Sequence, residues 1–152
     1  MNRMSPAPNR SPRGCTNFKT RHFARLLSRH YDAALAEVGL KGTQYALLGH
    51  VRHLGPIAPG ELARHMGLDA STLTRNLQPL MAAGWLQQTA GRDARSRSIA
   101  LTEAGAAKHT EAQRHWKQAQ LRVNTLLGAE RVAALHALID DCASALEAET
   151  AT

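Results

Sequence analysis

The sequence predicts a mostly α-helical fold carrying one small β-hairpin. Three observations predict it. Apolar residues recur at spacings of three and four over most of the chain; alternation is confined to two short arms, "WLQQTA" and "IALT"; and glycines fall where helical segments end. At 152 residues the chain has the length of one domain, or of two small units sharing a core, which is enough to bury apolar surface unaided.

Residues 1–15 mix Pro, Ser, Asn and Arg without periodicity and predict a disordered basic arm. From Thr16 the pattern changes. Phe18, Phe23, Leu26, Leu27, Tyr31, Ala34, Leu35 and Val38 mark a long amphipathic helix ending near Gly39, with Arg21, Arg25 and Arg29 on another face. Thr43 is placed to cap a second helix carrying Tyr45, Leu47, Leu48 and Val51, which Gly55 and Pro56 terminate. "IAPGELARHMG" predicts a short helix with Leu62, Ala63 and Met66 inward and Gly67 closing it. Asp69 is then the expected N-cap of "ASTLTRNLQPLMAAG", whose Leu73, Leu77, Leu80 and Met81 face the core while Ser71, Thr72, Arg75 and Asn76 face out. Pro79 removes one backbone bond, so a bend is expected there.

Trp85 and Leu86 open one arm of a hairpin, Ile99 and Leu101 alternate on the other, and "GRDARSRS" forms its tip. Thr102 starts another helix with Ala104, Ala112, Trp116, Ala119, Val123 and Leu126. Gly128 separates it from a last helix, in which Val132, Leu135, Ile139, Cys142 and Leu146 step by the a/d spacing of a helix seam. On that seam Cys142 reads as a buried packing residue. The expected organisation is an arm (1–15), an N-terminal dimerisation helix (16–42), a reading unit with its hairpin (43–101), C-terminal dimerisation helices (102–148) and a tail (149–152).

Formal net charge is +7, which favours a polyanionic partner. The charge is local. Arg3, Arg10, Arg13, Lys19, Arg21, Arg25 and Arg29 precede the first acid, and the last third of the chain is roughly neutral. No run of about 18 apolar residues and no apolar leader core is visible, so a cytoplasmic location is expected and no membrane association. Two cysteines, Cys15 and Cys142, are too few for a disulfide framework.

Two short helices joined by a glycine turn, the second with a polar outer face, describe a helix-turn-helix. Followed at once by a basic-tipped hairpin, they describe a winged helix. A helix of this size fits the major groove of double-stranded DNA, where Arg75 is suited to guanine and Asn76 to adenine, with Ser71 and Thr72 beside them. The hairpin then reaches the next minor groove. Arg95 at its tip suits that narrow, negative groove, Asp93 is expected to hold the Arg95 guanidinium in one pose, and Arg92 and Arg97 suit phosphates.

Over nearly all of residues 16 to 148 the chain resembles the MarR family of bacterial winged-helix regulators. The resemblance rests on "GLKGTQYALLGHV", "ELARHMGLDASTLTRNLQPL" and "DARSRSIALTEAG". It implies a homodimer in which the first helix and the last two interleave, a pseudo-palindromic operator, and ligand control of the spacing between two reading heads. A small phenolic or aromatic effector is implied in the cleft between dimer helices and reading head, with His22, Arg25, Tyr45 and Trp116 as its candidate contacts. In the peroxide-sensing branch of the family a cysteine opens the first helix and two tyrosines bond to it. Tyr31 and Tyr45 match those tyrosines, whereas Asn17 stands at the sensing position and Cys15 two residues before it. Lys19, Arg21 and the helix N-terminus would nevertheless favour a Cys15 thiolate.

Enzyme chemistry has no visible seat. No nucleophile stands beside a base, no carboxylates pair, and no Gly loop cradles phosphate, so neither catalysis nor a cofactor is expected. His50 and His53 are spaced i, i+3 without a third ligand, and no metal site is expected. The expected function is a sequence-specific DNA-binding transcriptional regulator, a repressor released by a small aromatic ligand. The alternatives are a thiol-based repressor using Cys15 and a winged helix that contacts an acidic protein instead of DNA.

Overall fold

A computed structural model describes residues 12–151, along which six helices and one antiparallel hairpin follow one another. Most of the expected basic arm, including Arg3 and Arg10, lies outside the described residues.

Helix α1 (Thr16–Ala36) turns Phe23, Leu27, Tyr31 and Leu35 toward the rest of the chain, and it packs against α2 and α5. Its end is closed by the Leu40 amide, which returns to the Leu35 carbonyl at 3.1 Å over Gly39 at φ 73°. Helix α2 (Gly42–Leu54) does not start on a Thr43 cap. The Gly42 N–H donates to Asp32 Oδ1 of α1 at 2.6 Å, and the Lys41 N–H donates to Gln44 Oε1 at 2.9 Å. Thr43 is already the second residue of the helix, two positions past the N-cap, which is Lys41. The cap is thus a tertiary contact between α1 and α2.

Buried Leu47, Leu48 and Val51 make α2 the central element, touching α1, α4, α5 and the hairpin. Helix α3 (Pro59–Met66) begins with Pro59, whose fixed φ suits a first turn, and ends at Gly67 in the left-handed region, φ 62°. Helix α4 (Ala70–Ala82) follows after the three residues Gly67, Leu68 and Asp69 and buries Leu73, Leu77 and Leu80, with Met81 half-buried. It runs past Pro79 to Ala82, although Pro79 brings no N–H to the ladder.

Strands β1 (Leu86–Ala90) and β2 (Arg97–Leu101) pair in register from Leu86 with Leu101 to Ala90 with Arg97. Trp85 stands outside the ladder because its amide goes back to the Leu80 carbonyl at 3.0 Å, closing the turn from α4. Ile57 has a role that no spacing announces. It forms a third, single-residue rung on β2 through bonds of 3.0 and 2.8 Å with Ile99, and so ties the segment before α3 to the hairpin.

Thr102 caps α5 (Glu103–Leu127) by accepting the Gly105 N–H at 3.0 Å, while its hydroxyl donates to the Gly84 carbonyl. After Gly128, α6 (Ala129–Thr150) extends away from the core. Of the expected seam, Val132 is buried and Leu135 half-buried, but Ile139, Cys142 and Leu146 are exposed. The expectation of a buried Cys142 therefore fails within one chain, because none of the described residues covers Ile139, Cys142 or Leu146. The core lies between α2, α3, α4 and the hairpin, with Leu48, Leu62, Leu80 and Ile99 almost fully enclosed. Enclosing each such side chain stabilises the fold by roughly 1.5–3 kcal/mol, which fixes how α4 and the hairpin are mounted.

Candidate nucleic-acid interface

The start of α4 is organised by Asp69. Its carboxylate accepts the Thr72 amide at 2.7 Å, the Ser71 hydroxyl at 2.7 Å and the Thr72 hydroxyl at 2.9 Å. These bonds, the Ser71 hydroxyl first, hold the Asp69 carboxyl down at about 2. Ser71 and Thr72 direct their protons inward to Asp69, so they present lone pairs outward and act as acceptors. Ser71 and Arg75 are exposed, and Thr72 and Asn76 are half-buried. Arg75 Nη2 leans on Thr72 Oγ1 at 3.4 Å. Of the outer face expected from the sequence, Ser71 and Arg75 are open and Thr72 and Asn76 are partly covered.

In the hairpin tip Asp93 plays a different part from the expected one. Its Oδ1 accepts the backbone amides of Arg95 at 3.1 Å and Ser96 at 2.8 Å, and no ion pair joins it to the Arg95 guanidinium. The amides two and three residues on lie within reach of a short side chain, whereas a long exposed arginine would lose rotamer freedom to meet it. These bonds, with the Ser96 hydroxyl, lower the Asp93 pKa below the usual carboxylate value and keep it charged. The tip is closed by the Gly91 amide on the Ser96 carbonyl at 3.0 Å, and a Cβ on Gly91 would collide with Ser96. Arg92, Arg95 and Arg97 all stay exposed.

A cavity of roughly 550 Å³ opens between α1, α2 and α5, walled by Ala24, Leu27, Tyr31, Tyr45 and Trp116 with Asp32 at its edge. Tyr45 stacks on Trp116 at 6.0 Å and on His109 at 5.0 Å. Of the four expected effector contacts, Tyr45 and Trp116 meet here. His22 and Arg25 do not: each helix residue turns the face by about 100°, and Ala24, Leu27 and Tyr31 are the α1 positions that face the cavity. His22 instead stacks on Phe18 at 6.3 Å.

The expected redox set is also dispersed within one protomer. Cys15 is exposed at the N-cap of α1, and Tyr31 lies about 24 Å farther along the same helix. The Tyr31 hydroxyl donates to Gln120 at 2.8 Å. Burial raises the pKa of both Tyr31 and Tyr45.

Sequence reasoning missed the junction between α2 and α5. His109 is buried, and Arg52 Nη1 reaches its Nδ1 at 3.2 Å, Thr110 Oγ1 at 2.9 Å and the Ala106 carbonyl at 3.3 Å. A guanidinium only donates, so Nδ1 accepts and the ring proton is on Nε2. Desolvation first, then the charges of Arg52 and His53, lowers the His109 pKa. The signal was present in the spacing: Gly105, His109, Ala112, Trp116, Ala119 and Val123 step by four and three along the inner face of α5.

A helix-turn-helix whose reading helix is open, flanked by an arginine-tipped hairpin, defines a winged-helix protein. Residues 38–96 match the model of the MarR family. The multiple antibiotic resistance protein MarR of Salmonella typhimurium is 31% identical over 117 residues, 76% of this chain and 78% of that one. An HTH-type transcriptional regulator of Bacillus subtilis, YwoH, is 31% identical over 88 residues, 58% of this chain and 64% of its own length. Among solved structures, the M. tuberculosis transcriptional regulator MosR in complex with DNA is 33% identical at a TM-score of 0.69, covering 85% of this chain and 98% of that one. The chain belongs to the MarR family, whose members are transcriptional regulators and not enzymes.

Proposed function

We infer that the protein is a homodimeric repressor that binds a pseudo-palindromic DNA duplex and is released by a small aromatic ligand. The observation that carries the DNA reading is the joint exposure of Ser71 and Arg75 on α4 and of Arg92, Arg95 and Arg97 on the adjoining hairpin. Among the described residues none of these arginines closes an ion pair, although the charge of Arg75 is felt by Asp69, so the pair of elements offers concentrated positive charge to a polyanion. MosR, a relative of this chain, has been seen with DNA, and the repressor CouR, alike in fold, with a 23-mer duplex.

Dimerisation is supported by apolar side chains that one chain leaves in water: Phe18 at one end, and Leu126, Leu138, Ile139 and Leu146 on the C-terminal helices. A lone helix end with this much exposed leucine and isoleucine calls for a partner, and a second copy offers the same seam. The cavity beside Tyr45 and Trp116 supports the effector reading, being large enough and apolar enough for an aromatic compound. The distance of Cys15 from Tyr31 weighs against a thiol switch within one protomer.

Selection of duplexes from a random pool tests this reading. The expected product carries two half-sites about one helical turn, roughly 34–36 Å, apart, and loses its protein when cavity-filling aromatic compounds are added. Recovery of no preferred duplex, with affinity insensitive to salt, would favour a protein-contact role instead.

A further inference from the structure

We propose that Asp32 makes the cavity between α1, α2 and α5 selective by charge, admitting uncharged or cationic aromatic compounds and turning anions away. The proposal rests on the effector reading given above and names the ligand class that this chain's own residues prefer.

The walls are mostly aliphatic and aromatic, with the hydroxyl residues Ser28 and Thr43 among them; of the described residues that line the cavity, Asp32 is the one that is charged, and none is a lysine or arginine. An anion entering such a space would need a cation or a set of backbone amides. The amides nearest to hand are those at the start of α2, where a helix N-terminus ordinarily attracts negative charge. That position is already filled. Asp32 Oδ1 accepts the Gly42 N–H at 2.6 Å, so the protein's own carboxylate takes the seat a ligand carboxylate would use. A second negative charge would face Asp32 across a medium of lower dielectric than water, and Arg52, the cation whose charge reaches Tyr45, is already engaged by His109, Thr110 and the Ala106 carbonyl.

A neutral ring loses nothing by this arrangement and gains the faces of Tyr45 and Trp116. A cationic group gains the Asp32 carboxylate as well, and an aromatic face attracts it further. The cations nearby on α1 do not alter the balance, because Arg25 lies outside the cavity lining.

Three nearly isosteric compounds separate the charges: 2-naphthoate, 2-naphthamide and 2-naphthamidinium, titrated into the full-length protein near neutral pH with binding read by calorimetry. The amide and the amidinium are expected to bind, and the naphthoate to bind at least tenfold more weakly than the amide, a difference of about 1.4 kcal/mol. In Asp32→Asn, which keeps an oxygen for the Gly42 amide, naphthoate should come within threefold of the amide, and amidinium should lose its advantage. Equal binding of naphthoate and naphthamide to the wild type would overturn the charge selection while leaving the effector site standing. Failure of all three to bind would overturn the effector site and this proposal with it. The wild-type comparison stands whether or not the variant folds.

Discussion

Asp69 and Asp93 serve the interface in the same way, each by binding backbone amides of its own turn and leaving the neighbouring arginine side chains to solvent. The Arg95 guanidinium is thereby held out by the shape of the loop and not by an acid that would compete with phosphate. Replacing Arg95 by Ala should weaken binding to many duplexes alike and reduce the slope of log affinity against log salt by about one per protomer. Arg75→Ala should instead cost about 1–3 kcal/mol on the preferred duplex and relax its sequence preference at one position of each half-site, as read by competition with single-base variants. Asp93→Ala removes the bonds that shape the tip without removing positive charge. It should leave the salt slope unchanged yet weaken binding several-fold; tighter binding from the lost negative charge would show that the loop needs no shaping. Asp69, whose carboxyl is held down at about 2 when folded, adds stability that is present above the ordinary carboxylate range and is lost as pH falls through about 4 toward 2. Asp69→Ala should lower Tm by roughly 2–6 °C at neutral pH and make the acid limb of the stability curve shallower.

At the scale of elements, the reading unit is held by α2, which touches both α4 and α5. The α2 to α5 contact turns on neutral His109, stacked on Tyr45 and accepting from Arg52. Because the folded pKa of His109 lies below its ordinary value, its contribution to stability is complete well above the ordinary histidine range and fades as pH falls through 6.5 and below. Groups facing it are Arg52 and His53 from α2, and both oppose a positive ring. Tm should therefore fall between pH 7.5 and 5 in the wild type and fall less in His109→Gln; parallel curves would remove His109 from the junction. Most of these elements were legible in the sequence, since Leu73, Leu77 and Leu80, or Ile99 and Leu101, announce their element by spacing alone. Caps were legible where the partner is close in sequence, as with Asp69 and Thr102. They were not where the partner comes from another helix, as Asp32 does for Gly42. The Ile57 rung and the Arg52 to His109 contact were hidden for the same reason, and the use of Asp93 was hidden although its partners are local, because the Arg95 amide and the Arg95 guanidinium compete for the same carboxylate. Each depends on which polar atom is nearest in space, and periodicity reports only which face a residue is on.

For the whole molecule, one chain supplies a single reading head and an unfinished surface. Leu126, Leu138, Ile139 and Leu146 lie 52–71% exposed, a cost that a second copy would remove by covering them. Ile139→Asp should give a monomer by sedimentation velocity. Its DNA affinity should drop by roughly 10²–10⁴, because two linked heads profit from a high effective concentration that one head lacks. The basic charge is placed to match. The wing arginines and the α4 face would be doubled by two-fold symmetry, while α5 and α6, whose seven acidic side chains slightly outnumber five basic ones, would lie between the copies.

The most direct test of this arrangement is the salt dependence of affinity for a selected duplex, compared between wild type and a chain in which Arg92, Arg95 and Arg97 are all Ala. With a loss of roughly 0.9 in slope for each contact removed, a dimer deprived of six arginines should show a slope shallower by about five. An unchanged slope and affinity would contradict a wing that grips DNA.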